Sequence, residues 1–181
     1  MQCPVCKKRT VSAVELLPDL PGFACSECTG VWIARADYVA WRAKHPGALP
    51  AATATTPVAI ADAPAGKLCP QCGHILLPYR VGHGLPFALD FCGACGGAWF
   101  DRHKWDAIKS RQLHGNLHDI VSANWQAAVR RADLQESVEQ TYQRLFGASY
   151  PRARETRDWL RTQPQRNLIL AYLSDAQASA K

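Results

Sequence analysis

The 181-residue sequence has no apolar run long enough to span a bilayer, no apolar stretch behind its first residues, and no cysteine outside a Cys-x-x-Cys pair. Without a span, no membrane partner is expected. Without an apolar segment after Cys3, a secretory leader of the usual form is not expected either. Also missing are a Gly-rich phosphate loop, a nucleophile elbow and a pair of carboxylates at catalytic spacing, so the expectation is a protein that is not an enzyme. The composition lacks the low hydrophobicity of a disordered chain: 48% of the residues are hydrophobic, which is ordinary for a folded soluble protein.

What is present is cysteine in a repeated pattern. Cys3/Cys6, Cys25/Cys28, Cys69/Cys72 and Cys92/Cys95 use all eight. The first half reads Cys-x2-Cys-x18-Cys-x2-Cys and the second Cys-x2-Cys-x19-Cys-x2-Cys, the ligand spacing of a tetrahedral four-thiolate zinc site. Two cysteines three apart in a tight turn aim both sulfurs at one ion, and an intervening hairpin brings a second such turn opposite. Four thiolates leave no open coordination position, so two Zn2+ ions, one per half, are read as structural rather than as activators of water. A disulfide framework, isolated thioredoxin-like redox pairs and rubredoxin-type iron are the alternatives, and the duplicated pairs of pairs favour zinc over them. Each half spans only about 40 residues, a size at which a core alone rarely holds, so metal binding and folding are expected to be coupled. Eight reduced thiols point to a reducing cytoplasm. The formal charge of +6 and pI near 9.0 invite nucleic acid, but eight thiolates and two zinc ions lower the net charge to about +2.

The expected architecture is small α+β. Two tandem zinc ribbons, each a β-hairpin plus a short helix, occupy residues 1–45 and 67–113, a Pro/Ala/Thr linker covers 46–66, and a helical region runs from 114 to 181. The linker's prolines favour extended chain, so the ribbons are expected to be tethered and need not touch. In ribbon two, Ile75, Leu77, Tyr79 and Val81 alternate, Gly82-His83-Gly84 turns, and Phe87, Leu89 and Phe91 alternate again, which reads as a hairpin. Ribbon one is a weaker copy, with Val14 and Leu16, a turn over Pro18 to Gly22, and Phe23 running into Cys25. After ribbon two a helix is expected from Arg102 to about Leu113, capped by Asp101, with Trp105 and Ile108 inward. Leu117, Val121, Trp125, Ala128 and Ala132 follow helical spacing, and Asp133-Leu-Gln-Glu136 looks like a capping box opening a new helix that Gly147 stops. Two more helices follow, one from Pro151 burying Trp159 and Leu160, the next carrying Leu168, Ile169, Tyr172 and Leu173. These helices are expected to pack on themselves and on ribbon two.

Cys69-Pro-Gln-Cys72 and Asp90-Phe-Cys92-Gly-Ala-Cys95-Gly-Gly-Ala-Trp99-Phe-Asp101 resemble the small bacterial zinc-ribbon family named after the transcription-factor-IIB zinc finger. Cys3-Pro-Val-Cys6 and Cys25-Ser-Glu-Cys28-Thr-Gly30-Val-Trp32-Ile33 repeat the pattern less faithfully. The resemblance implies a zinc-binding fold and, by name only, an association with transcription or nucleic acid. Ala34 stands where the pattern has the capping Asp, Thr29 replaces its first glycine, and Lys104 takes the place of a usual Glu, so the helix after ribbon one is expected to start less firmly.

Trp32 and Trp99 follow the last cysteine of each half by four residues. Each is read as covering one side of its metal site, with a base-stacking platform as the alternative. His45, His74, His83, His103, His114 and His118 have no ligand spacing to the cysteines and are read as surface or turn residues. Arg152, Arg154, Arg157 and Arg161, interleaved with Glu155 and Asp158, read as a solvated helix face. The leading function is a cytoplasmic zinc-binding adaptor for a protein partner. Nucleic-acid binding through Lys7, Lys8, Arg9, Arg80 and Lys104 is the alternative, and a redox- or metal-responsive switch the third.

Overall fold

The computed structural model describes residues 1–47, 60 and 66–175. Most of the 46–66 linker reading therefore lies outside the described residues. The chain divides into two units, Met1–Ala132 and Asp133–Lys181.

The first unit is built on a six-stranded antiparallel sheet. Ribbon one supplies β1 (Val11–Leu17), β2 (Leu20–Cys25), β3 (Val31–Ile33) and helix α1 (Arg35–Lys44). Ribbon two supplies β4 (Leu76–Gly82), β5 (Leu85–Cys92), β6 (Ala98–Phe100) and α2 (Lys104–Ser110). The strand order is β1-β2-β3-β6-β5-β4, so the ribbons meet edge to edge. Val31 pairs with Phe100, Trp32 with Trp99 and Ile33 with Ala98, which places a pseudo-two-fold axis between the two tryptophans. The expectation of tethered ribbons that need not touch is corrected by this pairing. The signal was hidden because three-residue strands are too short to show an alternation.

Side chains alternate across the sheet, and the two faces bury different things. On one face Ile33, Phe87, Leu89, Ala98 and Phe100 pack with Tyr38 and Trp41 of α1 and Trp105 and Ile108 of α2. Leu113, Leu117 of α3 (Leu117–Ile120) and Ile120 complete this core. The backbone N–H of Leu117 donates to the Tyr38 hydroxyl at 3.1 Å, and Arg42 Nε donates to the Gly115 carbonyl at 3.1 Å, fastening ribbon one's helix to the segment after ribbon two. The opposite face gathers Trp32, Trp99, Leu76 and the buried cysteines.

Several local expectations change. Gly22 is not a turn glycine: β2 resumes at Leu20, and Gly22 is small because a Cβ there would meet Leu16 Cδ1 at 2.4 Å. The turn falls on Pro18 and Asp19, whose φ is 62°. Asp101 does not cap α2; His103 precedes that helix in a left-handed conformation with no side-chain cap. The helix also ends at Ser110 rather than near Leu113. Ala34 likewise gives α1 no side-chain cap. No helix opens at Asp133, because α4 runs unbroken over Ala123–Phe146, with Ser122 Oγ accepting from Trp125 N at 3.2 Å at its start.

The second unit comprises the later part of α4, α5 (Tyr150–Arg161) and α6 (Arg166–Asp175). Arg157 Nη1 donates to Glu139 Oε2 at 2.8 Å, and the Tyr150 hydroxyl donates to Glu139 Oε1. No described residue from 133 onward is buried. The expected burial of Trp159 is corrected: it is 53% exposed. Leu168, Tyr172 and Leu173 are exposed as well. About 45 residues in three helices offer too little chain to enclose a core. Among the described residues, no helix is long and apolar enough to cross a membrane.

Candidate metal centres

Each ribbon brings its four sulfurs together. Cys3, Cys6, Cys25 and Cys28 form one group and Cys69, Cys72, Cys92 and Cys95 the other, all ligand atoms within 4.8 Å of one another. Cys3 and Cys28 Sγ are 3.6 Å apart, Cys69 and Cys95 3.6 Å, and Cys72 and Cys92 3.4 Å. Four sulfurs at about 2.3 Å from one tetrahedral ion would be about 3.8 Å apart, so the thiols fit Zn2+. All eight are free thiols, which sets the disulfide framework aside.

The turns are shaped by backbone. Cys6 N donates to Cys3 Sγ at 3.3 Å, Cys72 N to Cys69 Sγ at 3.4 Å and Cys95 N to Cys92 Sγ at 3.5 Å. Cys25 N donates to the Gly30 carbonyl and Cys92 N to the Gly97 carbonyl, both at 2.9 Å, closing the second turn of each site. Burial pushes the Cys25 thiol up, but amide donors from the Cys28 turn and Thr10 Oγ1, 3.1 Å away, outweigh it and bring the thiol down to about 6. Cys92 follows the same logic and is lowered to about 7. Cys3, Cys28, Cys69 and Cys95 are raised, chiefly by burial. Each site thus sets one lowered thiol beside two raised ones, whose protons the charge of a bound metal would displace.

Residues 2–44 and 68–111 each match a family model described as transcription factor zinc-finger. Both segments are TFIIB-type zinc ribbons. The two four-thiolate groups, one per ribbon, fit two Zn2+ ions. No curated protein and no solved structure matches the chain.

Behind the second zinc ribbon lies a charged network that sequence reasoning missed. Lys67 Nζ contacts Asp90 Oδ2 at 2.5 Å and Asp101 Oδ2 at 2.9 Å. Lys104 Nζ contacts the same Asp101 oxygen at 2.8 Å and the Ala88 carbonyl at 2.7 Å. Trp99 Nε1 donates to Asp101 Oδ1 at 3.0 Å. All four charged residues are buried. Burial raises the Asp90 carboxyl, whereas Asp101 ends below the usual carboxylate range because two ammonium groups outweigh the burial that would raise it. Lys104 is therefore an internal cation rather than a helix-start or nucleic-acid residue.

The first zinc ribbon has none of this. Counted from its cysteines, Met1, Phe23, Ala34 and Asp37 stand where ribbon two has Lys67, Asp90, Asp101 and Lys104. Trp32 Nε1 is consequently buried with no hydrogen-bond partner. Thr29 holds a φ of 58° where Gly96 holds 71°, a conformation that disfavours a β-branched side chain.

Both tryptophans are fully buried, so neither is a stacking platform. Each covers the metal turn of the other ribbon. A Cβ on Gly30 would meet Trp99 Cζ2 at 2.3 Å, and one on Gly97 would meet Trp32 Cζ2 at 2.2 Å. Of the histidines, His114 is not a surface residue: it is buried, with Nδ1 unpartnered, between Trp41 and Trp105. Lys7, Lys8 and Arg9 are exposed. The Arg152–Arg161 face is laced with ion pairs to Glu139, Glu155 and Asp158.

Proposed function

We propose that the chain is a cytoplasmic adaptor: a two-zinc scaffold whose C-terminal helical unit docks a protein partner. The observation that carries this reading is the apolar surface of that unit. Ten large apolar side chains are exposed there, among them Leu134, Leu145, Trp159, Leu168, Tyr172 and Leu173, a density of exposed apolar side chains that suits a protein-binding surface. Closed four-thiolate sites suit a scaffold and leave no coordination position for a substrate, so the chain is read as a binding module and not a catalyst. Because the ribbons form one sheet, they act as one body rather than as two tethered contacts.

Affinity capture with the intact chain, compared with a Leu168→Asp/Tyr172→Asp variant, tests the reading. The partner should be lost while zinc content and the melting of the ribbon unit stay unchanged. A partner retained by the variant refutes docking on this surface. A second reading, nucleic-acid binding, is supported by the exposed run Lys7-Lys8-Arg9. It requires binding that is strongest at low salt and weakens as salt rises.

A further inference from the structure

We propose that the two zinc ions bind cooperatively, with the tryptophan of each ribbon acting as a positioning residue for the metal of the other. In both ribbons the glycine two residues beyond the last cysteine closes the second metal turn by accepting from a cysteine amide, Gly30 from Cys25 and Gly97 from Cys92. Each of these glycines lies directly beneath the indole of the opposite ribbon, too close for even a methyl group to intervene. The indole of one half thus rests on the backbone that aims the thiolates of the other.

The strands that hold the indoles cannot stand alone. β3 and β6 are three residues each, and β3 is held by β2 through only two residue pairs and by β6 through three. Strands this short persist only inside a larger sheet. Loss of zinc from ribbon one frees the turn that leads into β3 and unseats Trp32 from Gly97. Loss from ribbon two does the same to Trp99 and Gly30. Metal binding orders each ribbon, and ordering one half supplies a seat that the other half would otherwise have to form for itself. Ribbon one depends on this support more. It lacks the buried charged network, leaves the Trp32 N–H unpartnered and holds Thr29 in a left-handed conformation. The coupling factor is nevertheless the same in both directions, as linkage demands.

The full-length chain tests this with two sets of variants. With site two disabled by Cys92→Ser/Cys95→Ser, zinc affinity at site one, measured by competition with a chromophoric chelator, should fall about tenfold or more. Disabling site one with Cys3→Ser/Cys6→Ser should lower site two by the same factor, within the usual range of coupling. Either site binding within twofold of its wild-type affinity overturns the proposal. A second measurement keeps all eight thiols, in case the serine variants do not fold. Zinc-loaded Trp99→Leu and Trp32→Leu are challenged with chelator and an alkylating agent, and the freed cysteines are mapped by mass spectrometry. The expected pattern is crossed: Trp99→Leu exposes Cys3, Cys6, Cys25 and Cys28 first, and Trp32→Leu exposes the ribbon-two cysteines first. Release confined to the ribbon that carries the substitution refutes the proposal.

Discussion

Replacing Asp101 with alanine is the sharpest perturbation of the scaffold that leaves every thiol in place. In the folded protein two lysines and two aspartates balance within the interior behind ribbon two. Without Asp101, Lys67 keeps Asp90 at 2.5 Å, while Lys104, 1% exposed, loses its 2.8 Å carboxylate contact and keeps the Ala88 carbonyl at 2.7 Å. Asp101→Ala takes a carboxylate from two buried ammonium groups at once, and removing a partner from a buried pair costs about 3–5 kcal/mol. The Trp99 N–H is orphaned as well, for about another 1 kcal/mol or more. Lys67 retains its second partner, so a total near 3–5 kcal/mol is the reasoned magnitude rather than the sum of every contact. For a unit of this size that corresponds to a fall in Tm of roughly 10–20 °C. Thermal unfolding of the zinc-loaded chain, followed by tryptophan fluorescence, reads the shift. Asp101→Asn, which keeps an acceptor for Trp99 but not the charge, should recover only part of it. A shift below about 3 °C for Asp101→Ala would show that the network contributes little.

Three further outcomes follow from the same structure. Thr29→Gly relieves a left-handed β-branched residue worth about 1–2 kcal/mol and returns about 0.5–1 kcal/mol as chain entropy, so the net should be a small stabilisation, visible as a rise in Tm. Chelation of zinc should abolish the near-ultraviolet circular dichroism of the ribbon unit, since β2, β3, β5 and β6, which carry its shared core, lead directly into or out of the metal turns. Retained signal in a metal-free sample contradicts this. Burial, then Lys109 and Arg42, holds His114 below the ordinary imidazole range. The unfolded chain therefore takes up a proton near pH 6.5 while the folded chain resists, so this contribution to stability is complete above that pH and is lost as pH falls through the folded value. His114→Leu should flatten the decline below pH 6.5, and an unchanged slope in denaturant melts at saturating zinc argues against it.

Much of the site was readable because its signals are local. Cys-x-x-Cys spacing reports a turn that aims two sulfurs, and the alternation Phe87, Leu89, Phe91 reports a strand with one buried face, so ligands and hairpins were recoverable from residue order. What escaped depends on pairing between distant segments. Nothing near Trp32 announces that its neighbour is Gly97, and Lys67 lies just before a cysteine with no nearby sign of the two carboxylates it meets. Asp101 looked like a cap because aspartate before a helix usually is one, but burial and two ammonium groups claim its oxygens. The apolar residues of α5 and α6 have helical spacing, and spacing reports amphipathicity, not whether anything covers the apolar side.

The two-fold pairing about Trp32 and Trp99 amounts to a dimer folded within one polypeptide. A dimer of separate subunits dissolves on dilution, whereas covalently joined halves meet at an effective concentration on the order of millimolar whatever the amount of protein. Identical subunits must also change together. Halves written once each can differ, and here one is braced by internal charge while the other holds its place in the sheet without it.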